Sequence, residues 1–192
     1  MAKKTGSLIT FCLDIGGTGI KGLAADAADR PTCERVRIET PRPATPEAMI
    51  EVMGEIARRM SRFDRVAAGF PGVVVKGRTL TAPNLDPSWE GFDLAGALAT
   101  LTGRPARVAN DAGVQGLAAI EGEGTELVVT LGTGMGFALY IDGHYVPNIE
   151  MAHHPFRNKK TYEELVGNAA LHEVGKKKWN RRVEKVVEQL AR

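Results

Sequence analysis

The chain has 192 residues, a formal net charge of +2 and 43% hydrophobic residues, which suits one large domain or two small ones and excludes a disordered protein. The near-neutral charge gives no general signal for nucleic-acid binding, and two cysteines cannot form a disulfide framework or a four-ligand zinc site by themselves. The amino-terminal stretch lacks a signal-peptide core, and no apolar run reaches the roughly 18–20 residues that span a bilayer. We therefore expect a cytoplasmic protein with no membrane partner.

The first half of the chain predicts strands separated by glycine and proline turns. Apolar runs and period-two alternation place strands at residues 7–14, 19–25, 32–40, 66–70 and 104–109. Thr45-Pro46-Glu47 predicts a helix start, because it supplies a capping oxygen, a proline at the first helical position and an acid in the first turn. Further helices are predicted over 93–102 and 112–120. These elements favour an α/β fold.

The second half begins where Gly122 and Gly124 interrupt the pattern, so we place a domain boundary between residues 1–122 and 123–192. Strands are predicted at 126–130, 136–141 and 144–147, the last two around the Asp142-Gly143 turn, and helices from Thr161 onward.

The last predicted helix is both apolar and basic. Its apolar stripe consists of Trp179, Val183, Val186 and Leu190. Its cations, which we expect to face solvent, are Lys176, Lys177, Lys178, Arg181, Arg182 and Lys185. They form either an ordinary solvated face or a binding site for a polyanion.

Two glycine turns repeat one another in the sequence. Residues 17–22 match G-x-G-x-x-G, the dinucleotide-binding pattern, and residues 131–136 repeat its G-T-G core. The second copy leads into an alternating strand, whereas a dinucleotide loop leads into a helix whose amino terminus holds the pyrophosphate. Two strand–turn–strand units that hold phosphate are therefore favoured, because glycine allows close approach and backbone N–H groups can point at phosphate oxygens. A pair of ordinary hairpins remains the alternative.

The candidate donor-binding residues lie in and beside these turns. They are Asp14, Gly16, Gly17, Thr18, Gly19, Lys21, Gly132, Thr133 and Gly134. Asp14 is a candidate to hold Mg²⁺ through water, and no P-loop pattern occurs. We expect the two turns to face each other across a cleft that narrows when substrate binds.

Five motifs in order, DIGGTGIKG, GFPGVV, APNLDPSW, ANDA and TLGTGMG, resemble the sugar kinases of the ROK group, which are actin-like ATPases with ribonuclease H-like domains. The forms GGTGIKG and APNLDPSW are most similar to the polyphosphate glucokinases and their relatives. The resemblance implies two domains, a homodimer, and phosphoryl transfer from polyphosphate or ATP, with Mg²⁺, to the 6-hydroxyl of glucose or a similar hexose. The second domain of the family continues into an adenosine-binding loop that is absent here, so activity is expected of the parent protein more than of this chain.

Asp111 is the candidate catalytic base. It follows a predicted buried strand and opens a predicted helix, with Asn110 beside it. The resemblance implies that Asp111 accepts the proton of the attacking sugar hydroxyl. The alternative is a carboxylate that only caps the helix.

The resemblance also implies a set of sugar-binding residues. They are Gly72, Asn84, Asn110, Asp111, Glu150 and His153. Ala152 stands where the family usually has glycine, and its methyl group could shift His153. A further sugar-binding glutamate is expected at the start of the next helix, where Tyr162, Glu163 and Glu164 leave the register open. The stretch after His153 contains no cysteine, so we predict no structural zinc.

A second function stays open, because the ROK group includes transcriptional repressors. A non-catalytic, sugar-binding regulator or sensor would retain the sugar site without turnover. A repressor would also need a helix-turn-helix before the first strand, and the few residues that precede it lead us to expect no nucleic-acid partner.

Overall fold

The computed structural model describes residues 8–60, 62–83, 85–157 and 159–191. The chain divides into two compact units between Val114 and Gln115, earlier than the break expected at Gly122 and Gly124. The functional domain boundary stays a prediction.

Unit 1 contains seven strands and three helices within its described residues. The strands are β1 Thr10–Ile15, β2 Gly19–Ala25, β3 Val36–Glu39, β4 Arg65–Phe70, β5 Val74–Val75, β6 Arg78–Thr79 and β7 Ala106–Asn110. The helices are α1 Pro46–Arg58, α2 Leu94–Thr102 and α3 Asp111–Gly116, whose last two residues already belong to unit 2, with a short 3₁₀ turn at Pro87–Trp89.

A five-stranded sheet forms the centre of unit 1, in the order β3-β2-β1-β4-β7. The strand β2 pairs antiparallel with both β1 and β3, whereas β4 pairs parallel with both β1 and β7. Because parallel strands end at the same edge of a sheet, the segments that follow β1, β4 and β7 all emerge at one edge.

The core of unit 1 explains why α1 forms as the sequence predicts. Thr45 caps it by accepting from the Ala48 N–H at 3.4 Å, and Met49, Met53 and Ile56 are fully buried in the core cluster beside the sheet. Helix formation thus rests on the amphipathic face as well as on the cap.

Trp89 anchors the loop that follows β6. Its side chain is fully buried and packs on Phe70 and Phe92, with ring centroids 5.0 and 5.3 Å away. Its indole N–H donates to the Ala44 carbonyl oxygen at 2.9 Å, so the polar atom of a buried aromatic is satisfied.

Unit 2 contains a second sheet and three helices in its described part. The strands are β8 Thr125–Leu131, β9 Met135–Ile141, β10 His144–Val146, β11 Pro155–Arg157 and β12 Lys160–Thr161. The helices are α4 Tyr162–Val166, α5 Asn168–Val174 and α6 Lys176–Leu190. The antiparallel sheet has the order β10-β9-β8, and β11 pairs with β12 as a separate hairpin.

Two predicted elements are shorter than expected. The strand predicted at 32–40 covers only Val36–Glu39, because Thr32 turns back to donate its N–H to the Ala24 carbonyl oxygen at 2.8 Å. The helix predicted at 112–120 ends at Gly116, where the hydrogen bonds tighten to three-residue turns.

None of the helices in the described ranges is long and apolar enough to cross a membrane.

Candidate active site

The carboxyl edge of the unit 1 sheet brings together three segments that the sequence separates. In the strand pairing Asp14 lies opposite Gly69, and Phe70 lies opposite Asn110. Gly69 has no side chain, and Asp111 lies close beside it, since a Cβ added to Gly69 would be 3.4 Å from the Cα of Asp111. The carboxylates of Asp14 and Asp111 therefore share one end of the sheet.

Asn110, and not Asp111, makes the capping hydrogen bond to Gly113, the third residue of helix α3. The Asn110 Oδ1 accepts from the Gly113 N–H at 3.2 Å, and its Nδ2 donates to the Gly72 carbonyl oxygen at 3.2 Å. Asp111 is itself the first helical residue, and its Oδ1 accepts from the adjacent Ala112 N–H at 2.8 Å. Asn110 thus serves as the local cap and ties the start of α3 to the loop after β4.

Burial is the main influence on the Asp111 carboxyl. It raises the pKa of Asp111 above its ordinary value, and the nearby negative charge of Asp14 raises it further, while the Ala112 N–H lowers it. A half-buried carboxylate with a raised pKa is a better proton acceptor than an exposed one. This environment suits a general base.

The first glycine turn, residues 16–19, follows β1 directly. Gly16 closes it by donating its N–H to the Gly19 carbonyl oxygen at 3.1 Å. A Cβ on Gly16 would lie 2.9 Å from that oxygen, so the turn needs glycine there. Lys21 lies on β2 directly opposite Asp14 on β1, and its Nζ is 2.6 Å from Asp14 Oδ2.

The chemistry of these side chains fits a magnesium ion held through water. Mg²⁺ is usually bound by one or two carboxylates and keeps several waters, and Asp14 supplies one carboxylate at the end of the sheet. In the parts of the chain that the structure describes, no group of three or more His, Cys, Asp or Glu side chains is arranged to hold a metal ion. A magnesium ion here would depend on water and donor phosphates for its other ligands.

The second glycine turn, residues 132–134, lies between β8 and β9. Gly132 donates its N–H to the Gly134 carbonyl oxygen at 3.0 Å, and the Gly132 carbonyl oxygen accepts from Asn168 at 3.0 Å. The Met135 N–H donates to Glu163 Oε2 at 3.1 Å. A Cβ on Gly134 would collide with the Glu163 carboxylate, so the absent side chain makes room for that group.

The three residues at the start of α4 have distinct environments. Tyr162 is buried and stacks on Phe156, with ring centroids 4.5 Å apart. Glu164 forms a capping box with Thr161, and these hydrogen bonds lower the pKa of Glu164. Of the three, Glu163 is the residue that contacts the glycine turn.

The segment containing Glu150 and His153 is joined to the same helix. Both side chains are exposed. Glu150 Oε1 accepts from the Ala152 N–H at 2.8 Å, and the Ala152 carbonyl oxygen accepts from the Glu163 N–H at 3.0 Å. Ala152 is buried in the apolar cluster of unit 2, which accommodates the methyl group. Asn84, predicted to bind sugar, lies outside the described residues.

Helix α6 carries the predicted apolar stripe. Val186 is buried, Val183 and Leu190 pack on the cluster of unit 2, and the Trp179 indole N–H donates to the Val166 carbonyl oxygen at 2.8 Å. The cations that lie exposed are Lys176, Lys177, Lys178, Arg181 and Lys185.

The prediction that Arg182 faces solvent is wrong. Arg182 is only partly exposed and its Nη1 is buried, without a hydrogen-bond partner in the described residues. The physical reason is helical spacing, because Arg182 stands one turn before the buried Val186 and shares its side of the helix.

Sequence reasoning missed Arg37, Thr40 and Arg42, whose side chains donate to carbonyl oxygens of the first glycine turn. Their distance from the turn in sequence hides this role. Only the pairing of β2 with β3, which sets Gly19 opposite Glu39, brings them to the turn.

Residues 10–152 match the ROK family, and the chain belongs to that family. A polyphosphate glucokinase from Mycobacterium tuberculosis is 32% identical over 166 residues, which cover 82% of this chain and 63% of the relative. This chain therefore spans less than two thirds of the length of that relative.

Solved structures agree with the assignment of the fold. An inorganic polyphosphate/ATP-glucomannokinase from Arthrobacter sp. strain KM superposes with a TM-score of 0.74 at 36% identity, covering 89% of this chain and 72% of that one. A ROK family transcriptional regulator, a homologue of the E. coli MLC protein, gives a TM-score of 0.74 at 16% identity, covering 87% and 48%. The latter likeness shows the fold alone, the mixed α/β architecture of the actin-like ATPases.

Proposed function

We propose that this chain belongs to a sugar kinase that transfers a phosphoryl group from polyphosphate or ATP to the 6-hydroxyl of glucose or a similar hexose. The observation that carries the proposal is Asp111, a half-buried carboxylate of raised pKa at the edge of the sheet where the first glycine turn also lies. The named relatives, a polyphosphate glucokinase and a polyphosphate/ATP-glucomannokinase, support the same reaction class.

In this mechanism Asp111 accepts the proton of the attacking hydroxyl. Asn110 positions it by capping α3 and by holding the loop at Gly72. Because phosphoryl transfer depends mainly on positioning and charge stabilisation, the base needs correct placement more than high basicity. Mg²⁺, when bound, would neutralise charge on the donor phosphates.

The sugar-binding residues of unit 2 are proposed from the family resemblance. They are Glu150 and His153, to which we add Glu163 as the further glutamate. The structure supports this choice of register because Tyr162 is buried and Glu164 is occupied in the capping box. The clamp formed by the two glycine turns stays a prediction, as do the homodimer, the cytoplasmic location and the absence of zinc.

For the donor, we propose that polyphosphate is used, alone or beside ATP. A phosphate chain offers no base to recognise, so its site needs cations, and five exposed cations lie on α6. Affinity for such a donor should fall steeply with salt. An ordinary solvated helix face is the alternative. Replacing Lys177, Arg181 and Lys185 with alanine distinguishes a donor site from a solvated face. If the Michaelis constants for polyphosphate and ATP are both unchanged, α6 does not bind the donor.

The test of the proposed function is an assay of glucose and mannose with ATP and polyphosphate supplied separately. Formation of a hexose 6-phosphate with either donor supports the kinase. Absence of transfer with every pair would refute it for this chain.

A non-catalytic sugar-binding protein is the second candidate, and the shared fold of the ROK transcriptional regulator favours keeping it. Calorimetric binding of glucose without turnover, using either donor, would select this function.

A further inference from the structure

Two arginines lie against the first glycine turn. Arg42 Nη2 donates to the Gly17 carbonyl oxygen at 3.0 Å, and Arg37 Nη2 donates to the Thr18 carbonyl oxygen at 3.4 Å. The Arg37 guanidinium also fills the space beside Gly19, where an added Cβ would lie 2.9 Å from Nε. Each guanidinium has five N–H donors, and both side chains are exposed, so most of these donors stay available to a ligand.

The turn directs its acceptors toward β3 and leaves donors unused. The Thr40 hydroxyl donates to the Gly16 carbonyl oxygen at 2.5 Å, so with the two arginines every carbonyl oxygen of residues 16–18 is engaged. Within the described ranges, the backbone N–H groups of Gly17 and Thr18 have no protein acceptor. A surface that presents N–H groups and positive charge, with its carbonyls occupied, suits an anion.

The two arginines are also the free cations of this turn. Lys21 is committed to Asp14 at 2.6 Å, whereas no ion pair joins Arg37 or Arg42 to a carboxylate in the part of the chain that the structure describes. Glu39 is the nearest acid along β3 and is exposed, like Arg37. The charge of both guanidinium groups is therefore available for binding.

The second glycine turn has the opposite character. Its neighbouring Met135 N–H is taken by the Glu163 carboxylate at 3.1 Å, and its Gly132 carbonyl oxygen accepts from a backbone N–H. A fixed carboxylate beside the turn repels a phosphate chain. The difference between the turns assigns the stronger anion site to the first.

We propose that Arg37 and Arg42 are donor-binding residues, which hold the phosphates adjacent to the one that is transferred. This inference rests on the proposed function. The chemistry recognised is a chain of phosphates, which polyphosphate and a nucleoside triphosphate share. The arginines would thus extend the glycine turn along the end of β3, with contributions separate from those of α6.

The test measures binding of tripolyphosphate to the 192-residue chain by calorimetry at low and moderate salt. Arg37→Ala and Arg42→Ala should each weaken binding about three- to tenfold, because charge-assisted contacts at exposed sites are moderate in strength. Arg107→Ala is the matched control, since Arg107 is an exposed arginine on β7, the opposite edge of the same sheet, and it should bind as the wild type does. Arg42→Gln, which keeps an N–H donor without the charge, covers the case in which Arg42→Ala distorts the turn.

Wild-type affinity in the double variant R37A/R42A, an equal loss in Arg107→Ala, or no binding by the wild type would overturn the inference. A fall in kcat with an unchanged donor KM would also overturn it, because the arginines would then only shape the turn. The same titration with ATP should show a similar loss, as the phosphates are common to both donors. If binding depends on the arginines but no sugar is phosphorylated, the inference stands and the proposed function fails. Normal turnover with an unchanged donor KM in R37A/R42A would refute the inference and leave the proposed function standing.

Discussion

Replacing Asp111 with asparagine removes the proposed base while keeping its shape. The amide oxygen of asparagine can still accept from the Ala112 N–H, which lies 2.8 Å from Oδ1, so α3 should begin as before. Asp14 cannot easily take over as base, because Lys21 Nζ is 2.6 Å from its Oδ2. We therefore expect turnover to fall by at least about 10²-fold, which is about 2.7 kcal/mol on the barrier, with glucose affinity largely kept.

The same substitution should lower turnover but raise the stability of the fold at neutral pH. Burial raises the pKa of Asp111 in the folded protein, so the folded state holds its proton more tightly than the unfolded state does. The free energy of unfolding then falls as pH rises from the unfolded pKa, about 3.9, to the raised folded value. Above that window Asp111 is ionised in the folded protein, and the burial of its charge lowers the unfolding free energy by the full amount. Asp111→Asn should therefore raise the unfolding free energy at neutral pH and leave it unchanged at the acid end.

Turnover is measured by coupled detection of glucose 6-phosphate, glucose affinity by calorimetry, and stability by urea unfolding at several pH values. Asp93→Asn is the control, since Asp93 caps α2 by accepting from the Gly96 N–H at 3.0 Å and asparagine caps equally well. Turnover of Asp111→Asn close to that of the wild type would exclude Asp111 as the base. A variant less stable than the wild type at neutral pH would contradict the argument from burial.

Four further substitutions test the packing and capping that support the fold. Trp89→Ala removes a fully buried indole and should cost about 3–5 kcal/mol in urea unfolding; a loss below 1 kcal/mol would disprove its role as an anchor. Gly72→Ala places a methyl against the backbone carbonyl of Thr81 and should cost about 1–3 kcal/mol, whereas Gly132→Ala meets nothing within 4 Å and should unfold at the wild-type urea midpoint. Thr45→Ala removes the cap of α1 and should cost about 1 kcal/mol, unless water replaces the hydroxyl, in which case the unfolding curve would not move.

Most of the elements of unit 1 could be predicted from the sequence because their signals are local. The cap at Thr45 and the methionine spacing predicted α1, and the structure confirms both. The family motifs and the order in which they occur likewise indicate the ROK family, and the match over residues 10–152 confirms it. Such signals need only neighbouring residues to be read.

Other features depend on contacts between distant segments, which the sequence does not reveal. The length of β3 was overestimated because Thr32 bonds back to Ala24. Arg182 was expected to face solvent, but it stands one turn before Val186 on the same side of α6, and its Nη1 is buried.

The sequence by itself predicted the two glycine turns and the start of α1 from a few consecutive residues, and its resemblance to the ROK group singled out Asp111 as the candidate base. Tertiary structure decided what surrounds them. The parallel pairing of β1, β4 and β7 places Asp14 near Asp111, and the register of β2 against β3 delivers Arg37 and Arg42 to the first turn. The physical reason is that strand register and burial depend on how the whole sheet packs, so charge environment and hydrogen-bond partners appear only after the chain has folded.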